Sequence, residues 1–197
     1  MNEKFEELIE SFLNTRIGIS NHFLSENLAL RLKTNLKNLN NDDKLKKAGI
    51  GNLPINDILQ DRRGDKIYWI DCKTKNEAEC VFLTQIEEFI LYLNDTCYAG
   101  INACEFHYAL YESGKSYKRH IDQFQNNSDR KFSMIHYLNE DWLKEDGGEL
   151  SIYQEDMVIK IQPSIRKAVF FSSDSCMHEV CESSRPRMSI SGWLKSC

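Results

Sequence analysis

The chain of 197 residues is 41% hydrophobic and 28% charged, the composition of an ordinary folded protein with room for one sizeable core. Its formal net charge of −5 argues against nucleic acid or an anionic membrane as the main partner. No apolar run approaches the roughly 20 residues that span a bilayer, and the acidic start lacks the layout of a signal peptide. The seven cysteines, at 72, 80, 97, 104, 176, 181 and 197, are odd in number and form no C-x-x-C pair. Reduced thiols in a cytoplasmic protein are therefore expected, and a zinc ribbon is not.

Phe5, Leu8, Ile9, Phe12 and Leu13 recur at helical spacing and predict a first helix with one buried stripe. A short strand over Ile17 to Ile19 follows. Ser25 then caps a second helix that carries Leu28, Leu32, Leu36 and Leu39 on one face. Residues 40–62 are polar and predict a long solvated loop, a length usually tied to function or mobility. "DKIYWID" reads as a strand, and Phe82, Ile86, Phe89, Ile90 and Leu93 return to helical period. From residue 100 the period is two: Cys104, Phe106, Tyr108 and Leu110 alternate, as do Phe132, Met134, His136 and Leu138. "ELSIY", "MVIKI", "KAVFF" and "MSISGWL" follow as short strands, with turn signals at Gly147-Gly148 and "QPS". The expected fold is α+β and mainly β, helices packed against a C-terminal jelly roll.

His120 and Asp122 form an H-x-D pair at the end of a strand pattern, and His178 comes much later. Two imidazoles and one carboxylate make the facial triad of non-haem iron sites, which leaves coordination positions open. The i, i+2 spacing suits it, because alternate strand residues project to one side. The pair alone fits a surface loop equally well. Arg187 lies nine residues beyond His178 and opens "RMSISGW", in which Arg187, Ser189, Ser191 and Trp193 share one strand face. An arginine inside an apolar barrel needs an anion, and no acidic residue is an evident partner, so a bound dicarboxylate is attractive. The alternative is an outward face with a solvated Arg187. Trp193 on the same face weighs against it.

In order along the chain, five segments resemble one family. They are "RRGDKIYWID" (R-G-D-x-I-x-W), "YESGKSYKRHID" (Y-x-x-G-x-x-Y-x-x-H-x-D), "IHYLNEDWLKEDGGELSIY" (Y-L-N-x-x-W…G-G-x-L-x-I-[FY]), "VFFSSDSCMHEV" (F-x-S-D…H-E-V) and "RPRMSISGWL" (R-x-x-[IL]-[ST]-x-W). They cover residues 62–194 and resemble Fe(II)/2-oxoglutarate-dependent oxygenases. Within these the chain is similar to the prolyl hydroxylases related to the hypoxia-sensing enzymes and their bacterial counterparts. The resemblance implies a double-stranded β-helix (jelly roll) with the N-terminal helices packed on one sheet. It implies a single domain over 1–197, with 1–98 mostly helical support and 99–197 the catalytic core.

The resemblance further implies that His120, Asp122 and His178 hold Fe(II), and that Arg187, assisted by Ser191, binds the far carboxylate of 2-oxoglutarate. O2 is then the second cosubstrate and ascorbate a reductant. Tyr111, Arg130 and Trp193 would line the cosubstrate and substrate pocket, with Arg63 a further substrate contact. A one-residue gap in the alignment leaves Leu110 as an alternative to Tyr111. His136 stands where close relatives carry a tyrosine that bonds 2-oxoglutarate, and Met177 replaces a proline before the distal histidine. Residues 48–62 align with a mobile segment that covers a peptide substrate.

The implied activity is prolyl hydroxylation of a protein or peptide. Three rivals stand beside it. One is hydroxylation of a free amino acid or small metabolite. Another is nucleic-acid demethylation, disfavoured because Trp193 occupies the place of a second arginine. The third is a non-catalytic jelly-roll binding protein.

Overall fold

The computed structural model describes residues 3–49, 62–123, 129–155 and 157–196. Helix α1 (Glu3–Thr15) buries Phe5, Leu8 and Ile9, and strand β1 (Ile17–Ser20) follows at once. Helix α2 (Glu26–Asn41) starts where expected, with Ser25 Oγ accepting from the Leu28 amide at 3.2 Å. It runs into the stretch expected to be loop, and Lys46–Lys47 then forms the short strand β2. Residues 50–61 of the expected substrate loop lie outside the described residues. Strand β3 (Asp65–Trp69) precedes helix α3 (Glu77–Cys97), which Asn76 caps by accepting from two amides.

The remaining strands are β4 (Ala103–Tyr111), β5 (Tyr117–His120), β6 (Arg130–Tyr137), β7 (Leu150–Gln154), β8 (Met157–Ile161), β9 (Ala168–Ser172), β10 (Met177–Val180) and β11 (Arg187–Lys195). One sheet has the order β1-β9-β6-β11-β4-β3-β2 and the other β5-β10-β7-β8. Neighbours in both are antiparallel. This is the expected jelly roll. The helices cover the outer face of the larger sheet.

Two cores result, and strand parity separates them. On β4, Phe106, Tyr108 and Leu110 pack with the helices, while Ala109 and Tyr111 face the barrel between the sheets. On β11, Met188, Ile190 and Leu194 pack outward, and on β9 Phe170 goes to the helices and Phe171 to the barrel. Odd-numbered residues of the large sheet thus point inward, and the β4–β11–β6 registers stack them in rows. The outer core is dense in rings: Phe82, Phe89 and Phe5 are buried against Phe106, Phe170 and Phe23. Full burial of each such side chain contributes roughly 1.5–3 kcal/mol.

Gly192 shows how closely β11 and β4 approach. A Cβ there would lie 2.2 Å from the Glu105 carbonyl oxygen and 2.3 Å from the Phe106 ring. Backbone cannot yield cheaply, so Gly192→Ala should lower unfolding free energy by about 1–3 kcal/mol. Denaturant midpoints against wild type measure this; an unchanged midpoint would mean the strands part freely.

Candidate active site

His120 ends β5, and the register sets it directly opposite His178 on β10. Directly opposite strand residues hold their Cβ atoms about 4.5–5.5 Å apart, so the two rings meet on one face, with centroids at 4.2 Å. Asp122 lies just past the end of β5, and the chain's bend returns its carboxylate to the same point. One donor atom from each residue lies within 4.8 Å of the others. His120 Nε2 is 3.5 Å from Asp122 Oδ1, and His178 Nε2 is 3.7 Å from Asp122 Oδ2.

Both imidazoles are set by the same local device. His120 Nδ1 donates to the Lys118 carbonyl at 2.7 Å, and His178 Nδ1 donates to the Cys176 carbonyl at 3.0 Å. A proton held on Nδ1 leaves the Nε2 lone pair facing the centre. Ser133 Oγ donates to Asp122 Oδ2 at 2.7 Å and sits 2.8 Å from Ser173 Oγ. Burial alone would raise the Asp122 carboxyl, but His178, His120 and the Ser133 hydroxyl outweigh it and hold the acid ionised, well below its usual range. Burial lowers the His178 imidazole. Asp122 and His178 are thus each biased toward the form that binds a metal.

Arg187 is only 1% exposed, in the first inward row of β11. Its Nε donates to the Gly148 carbonyl at 2.9 Å, and its guanidinium carbon lies 5.3 Å from the Tyr111 ring and 5.1 Å from the Tyr137 ring. Gly148 has a φ of +70°, and a Cβ there would stand 2.9 Å from Ser183 Cβ and 3.0 Å from Trp142. No described carboxylate pairs with Arg187. Its Nη2, the Tyr137 hydroxyl and Ser189 Oγ are buried without a hydrogen-bond partner.

Ser191, Trp193 and Tyr111 line the cavity that holds the three candidate ligands. Tyr111 is inward and Leu110 joins the helix-facing core, which fixes the register of that segment. Arg130 lies 3.4 Å above the Trp193 ring, pairs with Glu105 at 2.8 Å and donates to the Asp122 carbonyl at 3.3 Å. Arg63 reaches the cavity, but its fork is taken by Asp65, at 2.7 and 3.0 Å. That pair neutralises its charge.

His136 does not reach the site. It is even-numbered on β6 and points into the helix layer, 5.0 Å from Phe23 and 5.1 Å from Phe82. Its inward neighbour Tyr137 supplies the hydroxyl near Arg187. The expected tyrosine was present, one position on. Strand parity carried that signal: Tyr137 shares its face with Ile135 and Ser133. His107 and Ser133 are further site residues the sequence left unmarked, in the inward rows of β4 and β6.

A family profile described as the 2OG-Fe(II) oxygenase superfamily matches residues 106–195. Human Egl nine homolog 1 is 32% identical over 145 residues, 70% of this chain and 34% of that protein. A Pseudomonas putida prolyl-4-hydroxylase superposes with a TM-score of 0.87 at 28% identity, over 98% of this chain and 99% of that one. A Trichoplax adhaerens prolyl hydroxylase, solved with a hypoxia inducible factor oxygen degradation domain peptide fragment, gives 0.86 at 26%, over 98% and 89%. The chain thus resembles the 2-oxoglutarate/Fe(II) oxygenase superfamily over residues 106–195 and the prolyl hydroxylases over nearly its whole length. It spans about a third of the human relative's length.

The residues of this cavity fit the groups that such oxygenases use, Fe(II), 2-oxoglutarate and O2. Two histidines and a carboxylate with free Nε2 lone pairs suit Fe(II). The unpaired atoms of Arg187, Tyr137 and Ser189 suit a carboxylate.

Two outcomes follow. Ser133→Ala frees Asp122 to rotate and should weaken Fe(II) binding roughly 10–100-fold, read by metal titration; unaltered affinity would show that Asp122 needs no such support. His136→Leu should leave 2-oxoglutarate binding unchanged while altering acid stability. Burial lowers His136 to about 3 from 6.5, so only the unfolded chain takes up its proton between those pH values, and stability falls as pH drops through them. Removing it should lessen that loss by about 1.4 kcal/mol per pH unit, seen in denaturation at stepped pH.

Proposed function

We propose that this oxygenase is a protein prolyl hydroxylase. The observation that carries the reading is a buried arginine without a described counter-ion, packed on Tyr111, which also lines the cavity that holds the His-Asp-His set. Bound Fe(II) and 2-oxoglutarate supply the oxidising chemistry: O2 is consumed, 2-oxoglutarate leaves as succinate and CO2, and the second oxygen atom enters a substrate C–H bond as hydroxyl. His120, Asp122 and His178 hold the metal. Arg187 takes the far carboxylate through its unpaired Nη2, and Tyr137 and Ser189 donate beside it. Ser191 lines the wall between that end and the metal. Tyr111, Tyr137 and Ile135 keep water from the cavity by packing.

The prolyl assignment is supported by the prolyl hydroxylases among its relatives and by the mouth of the cavity. Trp69, 47% exposed and 6.2 Å from the buried Trp193 ring, offers a flat aromatic surface beside the cavity that suits a proline ring on an extended peptide. A peptide substrate without nucleic-acid or membrane partners is part of the proposal. So is the cytoplasm, which six free described cysteines suit.

Anaerobically prepared protein given Fe(II), 2-oxoglutarate, O2 and a cell extract should form succinate, and His178→Ala should reduce it to background. Mass spectrometry of the extract should find added oxygen on proline only with the wild type. Added oxygen confined to other residues or to free metabolites would replace the prolyl reading with the small-substrate one. Tyr137→Phe should raise the KM for 2-oxoglutarate about tenfold, the loss of one hydrogen bond to a charged group.

A further inference from the structure

Seven buried side-chain atoms among the described residues have no hydrogen-bond partner. Two belong to His136, in the helix layer. The other five belong to residues on inward rows of the large sheet, and they fall into two groups. Arg187 Nη2, Tyr137 Oη and Ser189 Oγ occupy the first two rows; His107 Nδ1 and Trp193 Nε1 occupy the third and fourth. Unpaired buried polar groups are rare in folded proteins, and each asks for a partner.

The second group lies at the metal end. Ser133, opposite Trp193, bonds Asp122, and Phe171, opposite Ser133, is 4.8 Å from the His178 ring. His107 stands opposite Ser191 on one side and Trp69 on the other. It lines the cavity with the three candidate ligands, yet it is only 2% exposed. Its ring packs 4.8 Å from that of Trp69 and 5.5 Å from that of Trp193, which leaves little of it open to solvent. A molecule that satisfies His107 must lie inside the barrel rather than upon it.

We propose that His107 is a further cosubstrate-binding residue, donating a hydrogen bond from Nδ1 to the metal-binding end of 2-oxoglutarate. The inference rests on the oxygenase reading and extends it to a residue outside the metal and Arg187 sets. Length favours it. Arg187 and Ser191 are four residues apart on β11, about 13 Å along a strand. The Arg187 side chain covers the first part, since its guanidinium already lies between Tyr111 of the first row and Tyr137 of the second. A five-carbon diacid covers the rest and brings its keto-acid end to the row of His107.

Charge favours it as well. Burial and the Arg63 guanidinium lower His107 to about 3, with Arg130 adding to the effect and Asp65 and Asp122 opposing it. At neutral pH the ring has no charge to repel a cation, and it offers one donor and one acceptor. Trp193 Nε1, a donor only, points to the same need for an acceptor at that end.

The test is binding, read without turnover. Anaerobic protein with Fe(II) is titrated with 2-oxoglutarate, following the charge-transfer absorption of the chelate, in wild type, His107→Met, His107→Asn and Arg187→Ala. Metal affinity and melting temperature are measured on each. His107→Met matches the ring in bulk without a donor and should weaken 2-oxoglutarate about tenfold while leaving Fe(II) affinity unchanged. His107→Asn, whose amide nitrogen can occupy the place of Nδ1, should recover most of the loss. Wild-type affinity in His107→Met, or an equal loss in His107→Asn, overturns the proposal; the second result would make His107 a packing residue only. Loss of the signal in Arg187→Ala alone would leave the oxygenase reading standing and this inference refuted. Absence of any chelate signal in wild type would sink both.

Discussion

A guanidinium buried in a barrel without a partner among the described carboxylates is the constraint on which the interior depends. Removing such a charge from water costs several kcal/mol even after relaxation, and one hydrogen bond to the Gly148 carbonyl with two phenol faces returns only part of that. The fold sustains the arginine by surrounding it tightly. Gly148 must lack a side chain so that its carbonyl can approach, and Trp142 and Ser183 fill the space behind it. An anion of the right length converts this local cost into affinity, because its desolvation is met by donors already fixed in place. Affinity for a carboxylate is thus built into the resting protein.

Strand parity distributes everything else. On the large sheet odd-numbered residues line the barrel and even-numbered ones meet the helices, so one residue of slip would exchange chemistry for packing along a whole strand. Tyr137 and His136 illustrate the consequence within a single peptide unit. The first sets a hydroxyl beside Arg187; the second is sealed among phenylalanines with both nitrogens unmet. Gly192 occupies an even position where two strands touch too closely for any side chain, which keeps Ser191 and Trp193 in line on the other face. The helices act on the site only through this parity, by holding the outer face immovable.

Much of this was legible beforehand because it follows from period and spacing. The change from helical to alternating pattern at residue 100, the H-x-D pair, the distal histidine and the arginine nine residues on needed no contact information. Strands β5 and β10 did need it: each has four residues, too short for a periodic signal, and only their pairing shows that His120 and His178 are opposite. Helix α2 ran beyond its last apolar residue, Leu39, because the following polar residues still complete its backbone bonds. The His136 assignment failed for a different reason. A sequence match tolerates a shift of one residue between adjacent aromatic-like positions, whereas a pleated strand does not. Arg63 reaches the cavity as expected, and its ion pair with Asp65, two residues on, was not read from the sequence.

The metal centre shows how little sequence is needed once strands are set. Each histidine fixes its own tautomer with the carbonyl two residues before it, a bond available to any strand-end residue whose ring folds back. The Asp122 carboxylate lacks that resource because it lies beyond the strand, and it borrows order from Ser133 on the opposite sheet. The Ser133–Ser173 contact continues the chain of bonds to the turn after β9. The carboxylate is therefore the ligand whose position depends on both sheets at once. Any change in the spacing between the sheets reaches the metal through Asp122 first, while the two histidines move together on their shared ladder.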